Sequence, residues 1–303
     1  MNLNRIIQCA RLTLRRQRSV VAVAPDSLQL GEQTLAGHCE QVLGVIPEAA
    51  WRLGERNDSQ SLRVLAGDKQ LKVFECRSTA QAAAVASALE HLHGNGVPAP
   101  QLHGVSGHVL FTEWVEGVPG RALSKRALAG HMPLALARLH QVRPGLEASA
   151  MPHVEWLLER LQRLAALQMG DARVSVVVDA LRARVPAASP LAVIHPDFIP
   201  ANLVFTADDV LVPVDNEFLA VGQGMELDVL NAADALYRRR PRARARFLER
   251  WLARVTDSTL VSHRAWWEAM LQVQRIGGAF ARGKTGQGVA RFARLEQDLK
   301  HLP

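Results

Sequence analysis

Near Gly117 the hydrophobic period of the chain changes, and any fold has to accommodate both sides of that change. Over 51–115 the texture is strand-rich: residues 61–65 and 70–74 alternate about Gly67-Asp68, the pattern of a hairpin. An alanine-rich helix is expected over 79–93, stopped by Gly94 and Gly96 ahead of Pro98 and Pro100. Two short strands follow, near 101–104 and 108–114. Beyond Gly117, Pro119 and Gly120 the apolar residues recur at helical spacing over 133–142, 154–168, 174–184, 242–255 and 266–276. Only one strand pair interrupts that half, 203–205 with 210–214, joined by the polar turn Thr206-Ala207-Asp208-Asp209. The expected class is α+β, with a small sheet-rich N-lobe at 51–117 and a larger, mainly helical C-lobe at 118–303. Residues 1–50 read as a basic N-terminal extension, in which 4–22 has the spacing of a basic amphipathic helix.

Thirty-six Lys and Arg against 29 Asp and Glu leave a net charge of +7, which suits an anionic partner without choosing one. The cysteines Cys9, Cys39 and Cys76 are too few and too scattered for a disulfide framework or a cysteine zinc site. With no apolar run near the roughly 18–20 residues of a spanning helix, a cytoplasmic protein is expected. Arginines crowd 238–254, where Glu249 is the one acid. Such a run usually marks a solvated helix face. Together with the N-terminal arginines it also raises the expectation of weak, peripheral attraction to anionic lipid. No nucleic-acid module or aromatic interleaving accompanies it, so specific nucleic-acid binding is not expected.

The chemistry concentrates at 193–216. His195-Pro196-Asp197 is followed four residues later by Asn202, which runs straight into a strand, and Asp215 ends the paired strand. A loop Asp, an Asn five residues on and an Asp across a hairpin can converge on one side of that hairpin. Phosphoryl transfer needs this set, because its catalysis is mostly positioning and charge neutralisation. One carboxylate takes the proton of an attacking hydroxyl; an amide oxygen and a second carboxylate hold magnesium against the phosphates.

These residues resemble the aminoglycoside phosphotransferase and choline kinase group of the protein-kinase-like fold, whose catalytic loop reads His-Gly-Asp-x-x-x-x-Asn before a hairpin ending in Ile-Asp-x-Glu. Further matches follow in order: Gln70-Leu71-Lys72-Val73-Phe74 resembles the lysine strand, Gly96-Val97-Pro98-Ala99-Pro100 the segment after the first helix, and 111–117 the hinge. Leu136-Ala137-Arg138-Leu139-His140 resembles the helix before the catalytic loop, and the whole likeness spans about 51–235. The resemblance implies a bilobal kinase, with Asp197 as catalytic base and His195 as support of its loop. It implies Asn202 and Asp215 as magnesium ligands, Lys72 on the nucleotide phosphates, and Glu113 and Val115 offering backbone groups to the base of ATP. GTP would serve as well, since no motif selects the base.

The chain departs from that pattern at Pro196, where a glycine is usual, and at Ile199, where a histidine is frequent. The helix after Lys72 offers Gln81 in its first turns where a glutamate partner is expected, and Glu90 lies late in it. A non-catalytic nucleotide-binding module is the competing reading on those grounds. A protein kinase is disfavoured, since no Asp-Phe-Gly or Ala-Pro-Glu signature is present. The acceptor is expected to be a small molecule with a hydroxyl group, such as a sugar, an amino alcohol or an envelope or lipid precursor. The arginine run favours a neutral or anionic acceptor over a polycationic aminoglycoside.

Two other patterns carry no function. Residues 278–285 satisfy G-x-x-x-x-G-K-[ST], but the preceding stretch is helical and only eighteen residues follow, so there is no parallel sheet to host a P-loop. His91 and His93, two apart on a helix, point to different sides and make poor metal ligands.

Overall fold

Alternation on either side of Gly67 closes a hairpin, and a sheet is built outward from it. The computed structural model describes residues 21–53, 61–143, 153–187 and 190–300. The chain divides into two compact units, Met1–Val142 with Asp197–Ala220, and Arg143–Pro196 with Val221–Pro303.

The first unit contains strands β1 (Val21–Val23), β2 (Gln29–Leu30), β3 (Gln33–Thr34), β4 (Ala49–Arg52), β5 (Ser61–Ala66), β6 (Lys69–Glu75), β7 (Leu102–Ser106), β8 (Val109–Glu113) and β9 (Val118–Pro119). Its helices are α1 (Leu35–Leu43), α2 (Thr79–Gly94) and α3 (Lys125–Gln141). A six-stranded sheet runs in the order β1-β4-β5-β6-β8-β7 with antiparallel pairing throughout. Gly67, at φ +61°, makes the β5–β6 turn that a side chain would strain. The core gathers Leu62, Val64, Leu71, Val73, Val109 and Phe111 with Leu28, Leu30, Leu35 and Cys39.

Residues 21–50 are therefore part of this core rather than an extension outside it. Their contribution is a two-residue hairpin, β2–β3, and the nine-residue α1, capped by Thr34, whose hydroxyl accepts from the Gly37 amide at 3.2 Å. The expected basic helix over 4–22 falls outside the described residues except at its end, where Val21 and Ala22 pair with Arg52 and Trp51 as strand. The turn 53–61, which the family resemblance would set over the nucleotide, lies outside them too, apart from its first and last residues.

Helix α3 starts eight residues before Pro133, at Lys125, with the Ser124 hydroxyl accepting from the Ala127 amide. Pro133 sits inside it, where an N-terminal position was expected. Burial of Leu128 and Met132 on the same face extends the helix past the lost backbone bond.

The second unit is helical: α4 (His153–Met169), α5 (Asp171–Arg182), α6 (Met225–Tyr237), α7 (Pro241–Leu252), α8 (Arg264–Ala281) and α9 (Thr285–Leu299). Helix α8 packs against α4, α6 and α9, with Trp267, Leu271 and Ile276 fully buried. Glu226, buried at the start of α6, accepts from the Thr259 amide at 2.9 Å and its hydroxyl at 3.0 Å, so its buried charge is satisfied.

The arginine run is only partly the solvated face expected. Arg242, Arg246, Arg250 and Arg254 are exposed, but Arg244 folds inward to Asp234 at 2.6 Å and Glu268 at 2.8 Å. Arg275 binds the same Asp234 carboxylate. Burial alone would raise that carboxyl, but Arg275 and Arg244 prevail and hold it below the ordinary range. A depressed pKa contributes stability above the unfolded value of about 3.9, and that contribution is lost as pH falls through the native value. Asp234→Asn is therefore expected to cost about 2 kcal/mol at pH 7, because the amide keeps an acceptor but loses the charge. Urea denaturation should show the gap from the parent chain narrowing as pH falls below the unfolded value of about 3.9.

Candidate functional site

Lys72 lies on β6, one of the two central strands of the sheet, opposite Arg63 on β5 and Thr112 on β8. Its Nζ donates to the Val214 carbonyl at 2.8 Å and to Asp215 Oδ1 at 2.9 Å. The Lys72 side chain is 11% exposed and that of Asp215 is 43% exposed, so the pair opens to solvent on the carboxylate side only.

Asp215 and Asn202 are brought together by the hairpin of Leu203–Phe205 and Leu211–Pro213. Leu203 faces Pro213, and the Val214 amide donates to the Asn202 carbonyl at 2.9 Å, one step beyond that pair. Asn202 and Asp215 consequently leave the hairpin at the same end. The Asn202 side-chain amide then reaches back along the loop, donating to Asp197 Oδ2 at 2.8 Å and to the Asp197 carbonyl at 3.0 Å. Lys72, Asp197, Asn202 and Asp215 are all in the first unit.

The hairpin is seated by two glycines. At Gly117 a Cβ would lie 2.3 Å from the Phe205 carbonyl oxygen, and at Gly120 one would lie 2.6 Å from that of Pro200. Close approach of these backbones therefore requires glycine at both positions.

His195, fully buried in the second unit, enters the loop with its backbone amide donating to Asp228 Oδ2 at 2.5 Å. A capping role is the natural sequence reading of Asp228. It does sit in the first turn of α6, but its carboxylate holds the backbone of a residue 33 positions away. The next carbonyl, that of Pro196, accepts from Asn231 at 3.0 Å and Gln274 at 3.2 Å. No sequence pattern marks Asn231 or Gln274, since both act across long chain separations.

Gln81 does not partner Lys72. Its amide donates to the Glu217 carbonyl and its oxygen accepts from the Arg77 amide at 3.0 Å. The partner of Lys72 is Asp215 itself. At the hinge, the Glu113 amide donates to the Gln101 carbonyl at 2.8 Å and the Trp114 amide to that of Gln70 at 3.0 Å, which ties this segment to the sheet. Among the described residues no cluster of three His, Cys, Asp or Glu side chains could hold a metal. Asp197 oxygens take part in the network through Asn202.

Burial pushes the Cys39 and Cys76 thiols up to about 12, with the Glu217 and Glu75 carboxylates adding to the rise at Cys76. Neither is a reactive thiol. His91 binds the Ser87 carbonyl at 2.7 Å and His93 the Ala99 carbonyl at 3.0 Å, consistent with structural roles.

The P-loop-like stretch is a helical hairpin. Gly278 lies within α8, Gly283 at φ +66° makes the turn, and α9 begins at Thr285. Gly288 is needed for packing, since a Cβ there would lie 2.6 Å from the Phe280 ring. Lys284 is exposed, with no strand before it. Lys284→Ala is expected to leave nucleotide affinity within about twofold of the parent by fluorescence titration, whereas a tenfold loss would restore the P-loop reading.

Among the described residues no helix is long and apolar enough to cross a membrane. Solved structures share the fold. Choline kinase LicA from Streptococcus pneumoniae is 16% identical, with 86% of this chain and 96% of that chain covered at a TM-score of 0.60. A choline/ethanolamine kinase family protein from Mesorhizobium loti is 18% identical, with 83% and 88% covered and a TM-score of 0.56. The streptomycin–ATP–APH(2'')-IIa ternary complex is 14% identical, with 89% and 97% covered and a TM-score of 0.59. None of the curated proteins matches the sequence. The model of the APH family, described as a phosphotransferase enzyme family, matches residues 52–266. With most of its length matched, including every residue of the hairpin site, the chain belongs to the APH phosphotransferase enzyme family.

Proposed function

We propose that the protein is an ATP- and magnesium-dependent kinase that phosphorylates a hydroxyl group of a small molecule. The observation that carries this reading is the convergence of Lys72, Asp215, Asn202 and Asp197, linked pairwise at 2.9 Å and 2.8 Å on one hairpin and its adjoining strand. Bound magnesium would supply charge neutralisation at the phosphates, and Asp215 with the Asn202 oxygen would hold it. In this reading Lys72 turns its ammonium to the nucleotide phosphates, while the Glu113 carbonyl and Val115 amide face the base. Asp197 accepts the proton of the acceptor hydroxyl, and His195 supports the loop through its buried backbone bond to Asp228.

The neighbours add weight in the same direction, since they include a choline kinase and a complex holding ATP with streptomycin. The second reading is a nucleotide-binding module without turnover. It is favoured by Gln81, which engages Glu217 where a glutamate would brace Lys72. An ATP-consumption screen across sugars, amino alcohols, aminoglycosides and lipid-linked saccharides separates the two. Acceptor-dependent ADP release is expected; a magnesium-dependent thermal shift with ATP but no turnover on any acceptor would favour the module.

A further inference from the structure

Helices α8 and α9, with Arg238 just beyond the end of α6, border an open cleft of about 660 Å³, within the range of small-molecule sites, and its polar lining does not belong to the hairpin site. Arg238, Arg275, Arg291 and Arg294 line it against two carboxylates, Glu268 and Asp298. On α9 the polar lining residues recur at three- and four-residue spacing, at 291, 294 and 298, and on α8 at 268, 272 and 275, so two facing helices present polar stripes to each other.

The charges inside are unequally matched. Glu268 is engaged by Arg244 at 2.8 Å and lies 3.7 Å from Arg264, while Arg275 and Arg238 both approach Asp234. Among the described residues neither Arg291 nor Arg294 forms an ion pair with any of these acids. Arg291 is half-buried, and burial together with the guanidinium groups of Arg238, Arg275 and Arg282 lowers its pKa. Arg282 folds back over α8 beside Gly278, where a Cβ would lie 3.2 Å from the Arg282 guanidinium. Four guanidinium groups therefore line the cleft against two carboxylates, and among the described residues those of Arg291 and Arg294 form no ion pair with them.

We propose that this cleft binds a small molecule carrying a multiply charged oxyanion group of the phosphate type. Planar guanidinium forks bind such oxygens two at a time, and an occupant would relieve the repulsion around Arg291. The cleft is concave and its lining has no aromatic ring on which a base could stack, which separates it from a nucleic-acid surface. This inference does not depend on phosphotransfer, and a binding measurement decides it.

The test is calorimetric titration of the full chain with pyrophosphate, in the parent and in the Arg291→Glu, Arg294→Gln and Lys72→Ala variants, each checked for folding by its melting temperature. One saturable site is expected, weakened about tenfold or more in Arg291→Glu and several-fold in Arg294→Gln, as for the loss of charge-assisted hydrogen bonds. Lys72→Ala should bind as the parent does. Absence of saturable binding, unchanged binding in folded Arg291→Glu, or loss of binding in Lys72→Ala would each overturn the proposal, the last by placing pyrophosphate at the hairpin site. Vesicles of phosphatidylcholine with and without phosphatidic acid identify the source. Sedimentation that pyrophosphate reverses and Arg291→Glu abolishes assigns a lipid headgroup; pyrophosphate binding without sedimentation assigns a soluble phosphate ester.

Discussion

Asp197→Ala is expected to lower turnover by about 10²–10⁴-fold, the range of a positioned general base, with nucleotide affinity nearly unchanged. The geometry separates the two quantities. The Asp197 carboxylate is held by Asn202 at 2.8 Å, and the Lys72–Asp215 pair that the nucleotide phosphates would meet involves neither of its oxygens. Asp197→Asn keeps the shape and a hydrogen-bonding group but removes the basic oxygen, so it should be nearly as damaging as alanine. Single-turnover kinetics with a nucleotide-binding titration on the same samples checks both. Turnover equal to the parent in either variant would remove Asp197 from its assigned role.

Asp215→Ala should cost about 10²–10³-fold in turnover, the size expected for removing one preorganised electrostatic group, and should abolish the magnesium-dependent part of any thermal shift with ATP. Two opposing magnitudes decide whether the fold survives. Lys72 is largely buried and loses its carboxylate partner, which alone would be costly. It keeps the Val214 carbonyl at 2.8 Å, and with Asp215 43% exposed the lost pair is worth no more than about 1 kcal/mol. The variant should therefore fold, melt a few degrees lower at most, and fail in catalysis. A melting temperature lowered by much more than this would show that the pair is structural.

Much of this architecture is written locally in the chain. The alternation about Gly67 is enough for β5 and β6, because a half-buried strand shows its period within a few residues. The loop and hairpin from His195 to Asp215 are legible for a different reason. Phosphoryl transfer demands particular residue types at fixed offsets, and the hairpin turn between them is strongly polar. What stays hidden has no local period. Strands of two or three residues, such as β2, β9 and Ala192–Ile194, are too short to alternate, and their existence depends on partners far along the chain. That is why 21–50 reads as an extension while five of its apolar residues lie in the core.

The supporting residues of the site are hidden in the same way. Asp228, Asn231 and Gln274 each hold the backbone of His195 or Pro196 from 33 to 78 positions away, and nothing in their own neighbourhoods distinguishes them from ordinary helix residues. Arg244 is the converse case. Its surroundings in sequence announce an exposed basic face, yet two acids from other helices draw it inward. Local composition sets the average behaviour of a charge run, and tertiary partners select the exception.

The zipper bond from the Val214 amide to the Asn202 carbonyl has a consequence for how such a chain can vary. The two groups assigned to the cation emerge from one end of the hairpin, and the Thr206–Asp209 turn closes the other. Residues added at that turn, or inserted as matched pairs across both strands, would lengthen the arm and leave Asn202 beside Asp215. A single residue lost from either strand would shift the pairing by one and turn alternate side chains to the opposite face. Descendants of this chain are thus free to drift in the distance between the two ligands along the sequence, but not in the register that joins them.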